Sequence, residues 1–287
     1  MIQAILFLFI LSATIAGIWG IDILKQRRRR RLQRKPFPPY WIAVIQQNFP
    51  LYKHLPEDLA RRLQGDIQVF LAEKNFIGCG GLEITDEIKL AIAAPACLLL
   101  LNERGNYFAQ LKDILVYPSA FIANSITPLG NTYLERQDWK SGESWQKGMV
   151  ILSWEDIKRD AINWRDGRNV IFHEFAHQLD QENGAANGVP TLDRRSDYHR
   201  WAQVFERTYR HFCDRVRQGK KTPLNEYGAT HPAEFFAVAT ETFFEKPKSL
   251  KATYGELYDE LKWYYNLDPL AWLHPPQTRP IVPKSAF

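Results

Sequence analysis

Residues 1–21 contain no charged side chain and are dominated by Ile, Leu, Phe, Ala and Trp. As a helix this stretch is about 30 Å long, enough to cross the hydrocarbon core of a bilayer. The basic run at residues 25–35 follows it, which is the reverse of the order in a cleavable signal peptide. By the positive-inside rule, the rest of the chain then lies in the cytoplasm. We predict a single-pass transmembrane helix over residues 1–24 in the inner, cytoplasmic membrane; the alternatives are a buried core helix and a secreted precursor.

Residues 25–39 are predicted to be a basic juxtamembrane segment that ends in a stiff Pro-rich spacer at residues 36–39. Residues 40–273 are long enough to form one domain with its own core. Residues 274–287 contain four prolines and are predicted to be a tail.

Within residues 40–273 the pattern changes between helical and strand periodicity. Residues 59–77, 201–216 and 250–266 have helical spacing, and residues 113–118 and 148–154 are typical of short strands. The apolar residues 91–101 are too few for a membrane span and include Pro95, so a buried helix is expected there. Residues 149–153 could form a sheet edge that pairs with an extended peptide. The fold class predicted is α+β, mainly helical with a small sheet.

The charge distribution bears on possible partners. The whole chain has a net charge of +5 and a pI near 9.0, values that fit a nucleic-acid-binding protein. Residues 1–35, however, carry +7, from eight Lys or Arg and one Asp, and the rest of the chain sums to −2. The positive charge is therefore juxtamembrane, where it attracts anionic headgroups. We predict contact with the membrane and no direct binding of nucleic acid.

A helix predicted to begin near residues 166–167 carries the sequence His-Glu-Phe-Ala-His at residues 173–177. His173 and His177 are one turn apart on one helical face, so both imidazoles can reach one Zn²⁺. Glu174 lies beside them and can accept a proton from a water at the metal. The alternative is a helix with two core histidines that bind no metal.

A catalytic zinc site needs a third protein ligand. A second predicted helix, opening at Thr230 or His231, is apolar and carries Glu234 and Glu241 on roughly one face. A buried carboxylate needs a partner, and a zinc ion would be one. The spacing leaves open which of the two carboxylates is the ligand, and His231 is expected to be a helix-end residue rather than a fourth ligand.

These motifs resemble the Mlc titration factor A family of zinc peptidases, over residues 40–273. The similarity lies in residues 173–180, in Tyr227, in the Pro-Ala-Glu-Phe-Phe-Ala sequence at residues 232–237 and in residues 141–156. The family is similar in its metal core to the catalytic domain of anthrax lethal factor. The resemblance implies a zincin-type domain of the gluzincin class.

The resemblance also implies roles for individual residues. His173, His177 and Glu234 would bind one Zn²⁺ per chain, and Glu174 would be the general base. Tyr227 would face the metal and stabilise an oxyanion; without the family, a tyrosine at a loop–helix junction is the simpler reading. Two further acids are candidates for supporting roles: Asp180 would orient a ligand histidine or cap its helix, and Glu241 would lie behind the ligands or in solvent.

The function predicted is a zinc-dependent peptidase that hydrolyses peptide or protein substrates. The alternative is a regulatory protein that sequesters a transcriptional repressor or another partner, as the name of the resembling family implies. Glu174 favours the enzyme, since a pure binding protein needs no base beside two zinc-spaced histidines. A structural zinc site would require four protein ligands, often thiolates, with no open coordination position. The three cysteines are too widely spaced for that.

Overall fold

The computed structural model describes the backbone of residues 2–102, 106–119, 121–129, 132–140, 142–145 and 148–274. It describes the side chains of residue 7 and of residues 19–102, 106–119 and 148–274. The predicted Pro-rich tail lies outside the described residues, apart from His274.

Most of the described residues are helical. The α-helices are α1 (Ile2–Gln33), α2 (Pro39–Asn48), α3 (Glu57–Glu73), α4 (Asp86–Leu98), α5 (Trp154–Ile162), α6 (Val170–Asp180), α7 (Arg195–Arg217), α8 (Pro232–Glu245), α9 (Pro247–Thr253), α10 (Gly255–Tyr265) and α11 (Pro269–Leu273). The strands are β1 (Asn75–Gly78), β2 (Asp113–Tyr117), β3 (Phe121–Leu129), β4 (Thr132–Lys140), β5 (Gly142–Trp145) and β6 (Met149–Ser153). Short 3₁₀ turns are found at Pro50–His54, Gln181–Asn183 and Glu226–Ala229.

The main sheet has the strand order β1-β2-β6-β5, and β3 and β4 form a separate antiparallel pair. β2 pairs in parallel with β1 and with β6, whereas β5 is antiparallel to β6. The predicted α+β class and the two predicted strands, β2 and β6, are confirmed. The prediction that residues 149–153 form an edge is wrong, because β5 pairs with the outer side of β6 and is itself the edge.

Helix α4 is the buried helix that the apolar residues 91–101 predict. Thr85 caps its N-terminus by accepting a hydrogen bond from the Ile88 backbone N–H, and Pro95 lies inside the helix. Other helices differ from their predicted extents: α6 begins at Val170 rather than near residues 166–167, and α7 begins at Arg195 rather than at residue 201. α3 ends at Glu73, so residues 75–77 belong to β1. Residues 250–266 form two helices that meet at Tyr254, because Gly255 begins a new helix there.

Helix α1 runs without a break through most of the basic segment, and its C-terminal end packs on α3. Arg29 is 4% exposed, and its guanidinium donates to both carboxylate oxygens of Glu73 at 2.8 and 2.7 Å. It also donates to Asn106 Oδ1 at 2.6 Å. Gln33 Nε2 donates to Asp66 Oδ1 at 2.9 Å. Part of the predicted basic juxtamembrane segment therefore contacts the folded domain.

In the part of the chain that the structure describes, no helix is both long enough and apolar enough to cross a membrane. The transmembrane helix predicted over residues 1–24 is therefore not supported. The predicted cytoplasmic location of the domain stays a prediction.

The hydrophobic core holds α6 from both sides. The Phe172 ring stacks on Phe244 of α8, with centroids 4.8 Å apart. On the other side, the Phe175 ring contacts Phe108 edge to face at 4.9 Å. Burial of each large aromatic side chain contributes on the order of 2–3 kcal/mol. This packing fixes the helix that carries the histidine pair.

Candidate metal centre

Helix α6 begins at a polar cap and is buried along most of its length. Asn169 Oδ1 accepts hydrogen bonds from the backbone N–H groups of Ile171 and Phe172, both at 3.1 Å. The cap satisfies donors that the first helical turn would otherwise leave unpaired. His173 and His177 then project from one face, with ring centroids 4.8 Å apart.

Helix α8 lies against α6 and begins with His231 and Pro232. His231 Nδ1 accepts a hydrogen bond from the Ala233 N–H at 3.2 Å, so His231 is the N-cap, as its expected helix-end position requires. Glu234 lies in the first turn, where a negative charge is favoured by the helix dipole. Every residue of α8 from Phe235 to Glu245 is buried. The buried helix therefore presents Glu234 to the histidines from a fixed position.

His173, His177 and Glu234 meet at one point. Glu234 Oε2 lies 3.0 Å from His173 Nε2 and 3.3 Å from His177 Nε2, and the two Nε2 atoms are 3.2 Å apart. The donor atoms of the three residues all lie within 4.8 Å of one another. Two imidazole nitrogens and one carboxylate oxygen converging in this way can hold a divalent metal ion.

Glu241 fixes the orientation of the first histidine. Its Oε1 accepts a hydrogen bond from His173 Nδ1 at 2.8 Å, and its Oε2 accepts one from the Asn169 N–H at 2.6 Å. Glu241 is 6% exposed. Because Nδ1 carries the proton, Nε2 keeps its lone pair for the metal. Glu241 thus lies behind the cluster, and Glu234 is the carboxylate that converges with the two histidines.

The electrostatics of the cluster favour positive charge at its centre. Burial alone would lower the pKa of His173, but hydrogen bonds to Glu234 and Glu241 outweigh it and raise this pKa well above its usual value. Burial likewise would raise the pKa of Glu234, yet hydrogen bonds with His173 and His177 hold it far below its usual range. Two carboxylates around two imidazoles are therefore a suitable site for a cation.

The two predicted catalytic side chains lie beside this cluster. Glu174 follows His173 on α6, is 4% exposed, and its charge helps to raise the pKa of His173. Tyr227 lies in the 3₁₀ turn before α8, with its ring centroid 6.1 Å from that of His173. It is 54% exposed, so its phenol is accessible to an incoming molecule.

Asp180, at the end of α6, makes hydrogen bonds with the loop that follows the helix. Its Oδ2 accepts a hydrogen bond from the Gly188 N–H at 2.9 Å, and its Oδ1 accepts one from the Val189 N–H at 2.8 Å. Asp180 thereby fixes the loop that follows α6, and this loop contacts the start of α8 near Pro232. Burial raises the pKa of Asp180, and the nearby His177 acts against this rise. The roles predicted for Asp180, orienting a histidine or beginning the C-terminal cap of α6, stay predictions.

Sequence reasoning missed Asn169, Glu245 and Asp160. Asp160 Oδ2 accepts a hydrogen bond from the Val170 N–H at 2.8 Å, and Glu245 contacts the residues just before α6. A signal for Asn169 was present, since an Asn directly before an apolar helical run is a typical N-cap. Glu245 follows Glu241 by one helical turn, and a second acid on a buried helix also indicates a polar partner.

Comparisons with known proteins agree with this geometry. Residues 23–266 match the family model described as glucose-regulated metallo-peptidase M90. The chain is 44% identical over 272 residues to an uncharacterized protein of Synechocystis sp. (strain PCC 6803), covering 94% of this chain and 99% of that protein. It is 32% identical over 235 residues to the Mlc titration factor A of Yersinia pestis (strain Pestoides F), covering 79% of this chain and 84% of the relative. These matches confirm the resemblance that residues 173–180 and 232–237 indicate.

Proposed function

The chain belongs to the M90 family of glucose-regulated metallopeptidases, and from this premise we propose that it is a zinc-dependent peptidase with Glu174 as its general base. One observation carries the proposal. Three ligand atoms from α6 and α8 converge, and an acid adjacent in sequence to one of the ligands lies on the same helix.

The donor set supports zinc as the metal. Two neutral imidazoles and one carboxylate are a common protein ligand set for catalytic zinc, with a further position left for water or substrate. The second ring nitrogen of His173 is already held by Glu241, as in many zinc sites. When bound, zinc would lower the pKa of a water molecule toward neutrality and polarise the substrate carbonyl.

Glu174 and Tyr227 would supply the remaining chemistry. The Glu174 carboxylate takes the proton of the attacking water and then passes it to the leaving amine. The Tyr227 phenol donates a hydrogen bond to the oxyanion that develops on the substrate carbonyl, a contribution of about 2–4 kcal/mol for one donor in a dry site. Glu174 would therefore carry both proton transfers of peptide hydrolysis, and Tyr227 would stabilise the charge that develops between them.

The sheet supports an extended peptide as the substrate. Among the described strands, β5 pairs only with β6, so its other side offers backbone hydrogen-bonding groups to a peptide. β5 also lies next to α6, the helix that carries the histidines. A peptide bound along β5 would gain main-chain hydrogen bonds close to the metal ligands.

The full-length chain provides the test of this function. Zinc content is measured by elemental analysis, and cleavage of a diverse peptide library is followed by mass spectrometry, before and after removal of metal with a chelator. We expect about one zinc per chain, and cleavage that is lost with the metal and restored by zinc. Cleavage that survives complete metal removal would contradict the proposal.

A second candidate function rests on the relatives named Mlc titration factor A, a name that indicates binding to the protein Mlc. For this chain we propose, as the alternative, capture of a repressor-type protein with peptidase activity secondary. Zinc binding without cleavage of any library peptide, together with tight binding of such a repressor, would favour this alternative. Unchanged repressor binding after Glu174→Ala would separate capture from catalysis.

A further inference from the structure

The N-terminus of α6 is attached to the far end of α8 by hydrogen bonds that lie behind the metal ligands. Asn169 Nδ2 donates to Glu245 Oε1 at 3.0 Å, and the Gly167 N–H donates to Glu245 Oε2 at 3.1 Å. The Asn169 N–H donates to Glu241 Oε2 at 2.6 Å. Asn169 is 8% exposed and Glu245 is 5% exposed.

We propose that Asn169 and Glu245 are positioning residues for the metal centre, which set α6 against α8 and so fix His173 and His177 relative to Glu234. The inference rests on the proposed metal site, but it concerns residues that bind neither metal nor substrate. It assigns a functional role to a buried acid that the proposed reaction does not use.

The oxygen and the nitrogen of the Asn169 side-chain amide make different hydrogen bonds, and together they require asparagine at this position. Its Oδ1 caps α6 through Ile171 and Phe172, whereas its Nδ2 is the donor to Glu245. Aspartate or serine would cap a helix equally well, but neither offers the side-chain N–H that Glu245 accepts. A cap alone therefore does not explain asparagine at this position.

Glu245 directs both carboxylate oxygens at the segment before α6. It accepts one hydrogen bond from the Asn169 side chain and one from the Gly167 backbone. Two residues that precede α6 are therefore attached to the last turn of α8. Gly167 presents its N–H from a backbone φ of +77°, the left-handed region that favours glycine. Glu241, one turn earlier on α8, adds the third attachment at Asn169.

Because α6 and α8 are rigid, hydrogen bonds that fix one end of these helices also fix the ligands farther along them. Glu234 and Glu245 are on the same buried helix, and His173 follows Asn169 by one turn on α6. A small shift of α6 along α8 would move the histidines and Glu234 relative to each other. Ligand distances are tolerated only within about 0.2 Å, so metal affinity reports such a shift sensitively.

Three variants of the full-length chain test the inference. Asn169→Asp keeps the cap but sets a carboxylate against Glu245, and Glu245→Gln sets an amide N–H against one of the two donors. The double variant reverses the hydrogen bond: the new glutamine amide donates to the new aspartate, and its oxygen still accepts from Gly167. We expect each single variant to weaken zinc binding roughly tenfold or more and the double variant to recover to within about threefold of wild type.

Zinc affinity is measured by competition with a chromophoric chelator, and the absorption bands of the Co²⁺-loaded protein report ligand geometry. The matched control is Glu260→Gln, which removes a buried carboxylate that binds Arg200 on α7. The control should lower the thermal unfolding midpoint without changing zinc affinity or the Co²⁺ spectrum.

Wild-type zinc affinity in both single variants would overturn the inference. So would a double variant whose fold-loss of zinc affinity equals the product of the two single losses. An equal loss of affinity in Glu260→Gln would also overturn it, because the effect would then be general destabilisation. A wild-type chain that binds zinc but cleaves nothing would leave this inference standing while it removed the proposed peptidase activity. A wild-type chain that binds no zinc would overturn both.

Discussion

His173 Nδ1 and Glu241 Oε1 lie 2.8 Å apart, and the other oxygen of Glu241 accepts a hydrogen bond from the backbone at Asn169. One carboxylate thus orients an imidazole of the candidate metal site and holds the start of the helix that carries it. This arrangement explains why Glu241 is buried on α8 although it is not one of the three residues that could hold a metal. It also predicts that the site is sensitive to residues that never touch the metal.

Glu241→Gln should weaken zinc binding by about 10- to 100-fold. The amide can still accept from Asn169, but its N–H would face His173 Nδ1 and favour the tautomer that carries its proton on Nε2. Affinity is measured by chelator competition. The control is Thr240→Val, also on α8, which removes a buried hydrogen bond to Tyr265 of α10 and should lower stability alone. Equal zinc affinity in wild type and Glu241→Gln would contradict this role.

Tyr227→Phe should lower kcat for peptide cleavage by about 30- to 1000-fold, which corresponds to the loss of one oxyanion donor. KM and zinc content should stay near their wild-type values, because the ring remains and the phenol is not a ligand. Steady-state kinetics on a cleaved library peptide give both constants. A rise in KM at constant kcat would instead assign Tyr227 to ground-state binding of the substrate.

Alanine substitutions at two glycines in the loop after α6 distinguish the stability cost of backbone strain from that of a steric clash. Gly184 and Gly188 both have positive φ, +89° and +78°. A Cβ at Gly184 meets nothing within 4 Å, whereas one at Gly188 would lie 2.5 Å from the carbonyl oxygen of Pro232. Gly184→Ala should cost about 1 kcal/mol, and Gly188→Ala roughly 3 kcal/mol or more, in the free energy of unfolding by urea. Equal losses would show that the loop moves away from α8 at no cost.

Asp160 should make stability depend on pH. Burial raises the pKa of Asp160 from 3.8 to about 7, against the lowering effect of its hydrogen bond from Val170 and of Arg159. Because the folded protein holds this proton more tightly than the unfolded chain does, the contribution of Asp160 to stability is full below pH 4 and is lost as the pH rises to 7.

Asp160→Asn should remove this dependence. Relative to wild type, the variant should gain roughly 4 kcal/mol in free energy of unfolding between pH 4 and 7, an upper value taken from the full pKa shift. Urea unfolding across that range measures the gain, and Asp58→Asn on the exposed surface of α3 is the control. A constant difference between wild type and Asp160→Asn would show that Asp160 titrates normally in the folded protein.

Local signals in the sequence predicted the elements that build the site. The apolar spacing of α6 and α8, the polar start of α8 and the short apolar runs of β2 and β6 are all properties of short segments. The choice of Glu234 over Glu241 was different, since both acids lie on roughly one face of α8. It came from the resemblance to a family, and the structure agrees through the distances of Glu234 from the two histidines.

The features that the sequence did not predict depend on distant contacts. Asp180 binds backbone groups eight and nine residues later, and Glu245 binds residues 76 and 78 positions earlier. The four-residue strand β5 has little pattern of its own, so its pairing with β6, and hence the true edge of the sheet, could not be read locally. Arg29 likewise belongs to a basic run whose contact with Glu73 shows only in three dimensions.

The proposed function requires Glu174 to activate water at a metal held by His173, His177 and Glu234. The most direct measurement compares full-length wild type with Glu174→Ala for zinc content and for cleavage of the same peptide. We predict about one zinc per chain in both proteins, and a loss of cleavage in Glu174→Ala of at least about 1000-fold. Two proteins that bind zinc and cleave equally fast would show that Glu174 is not the general base.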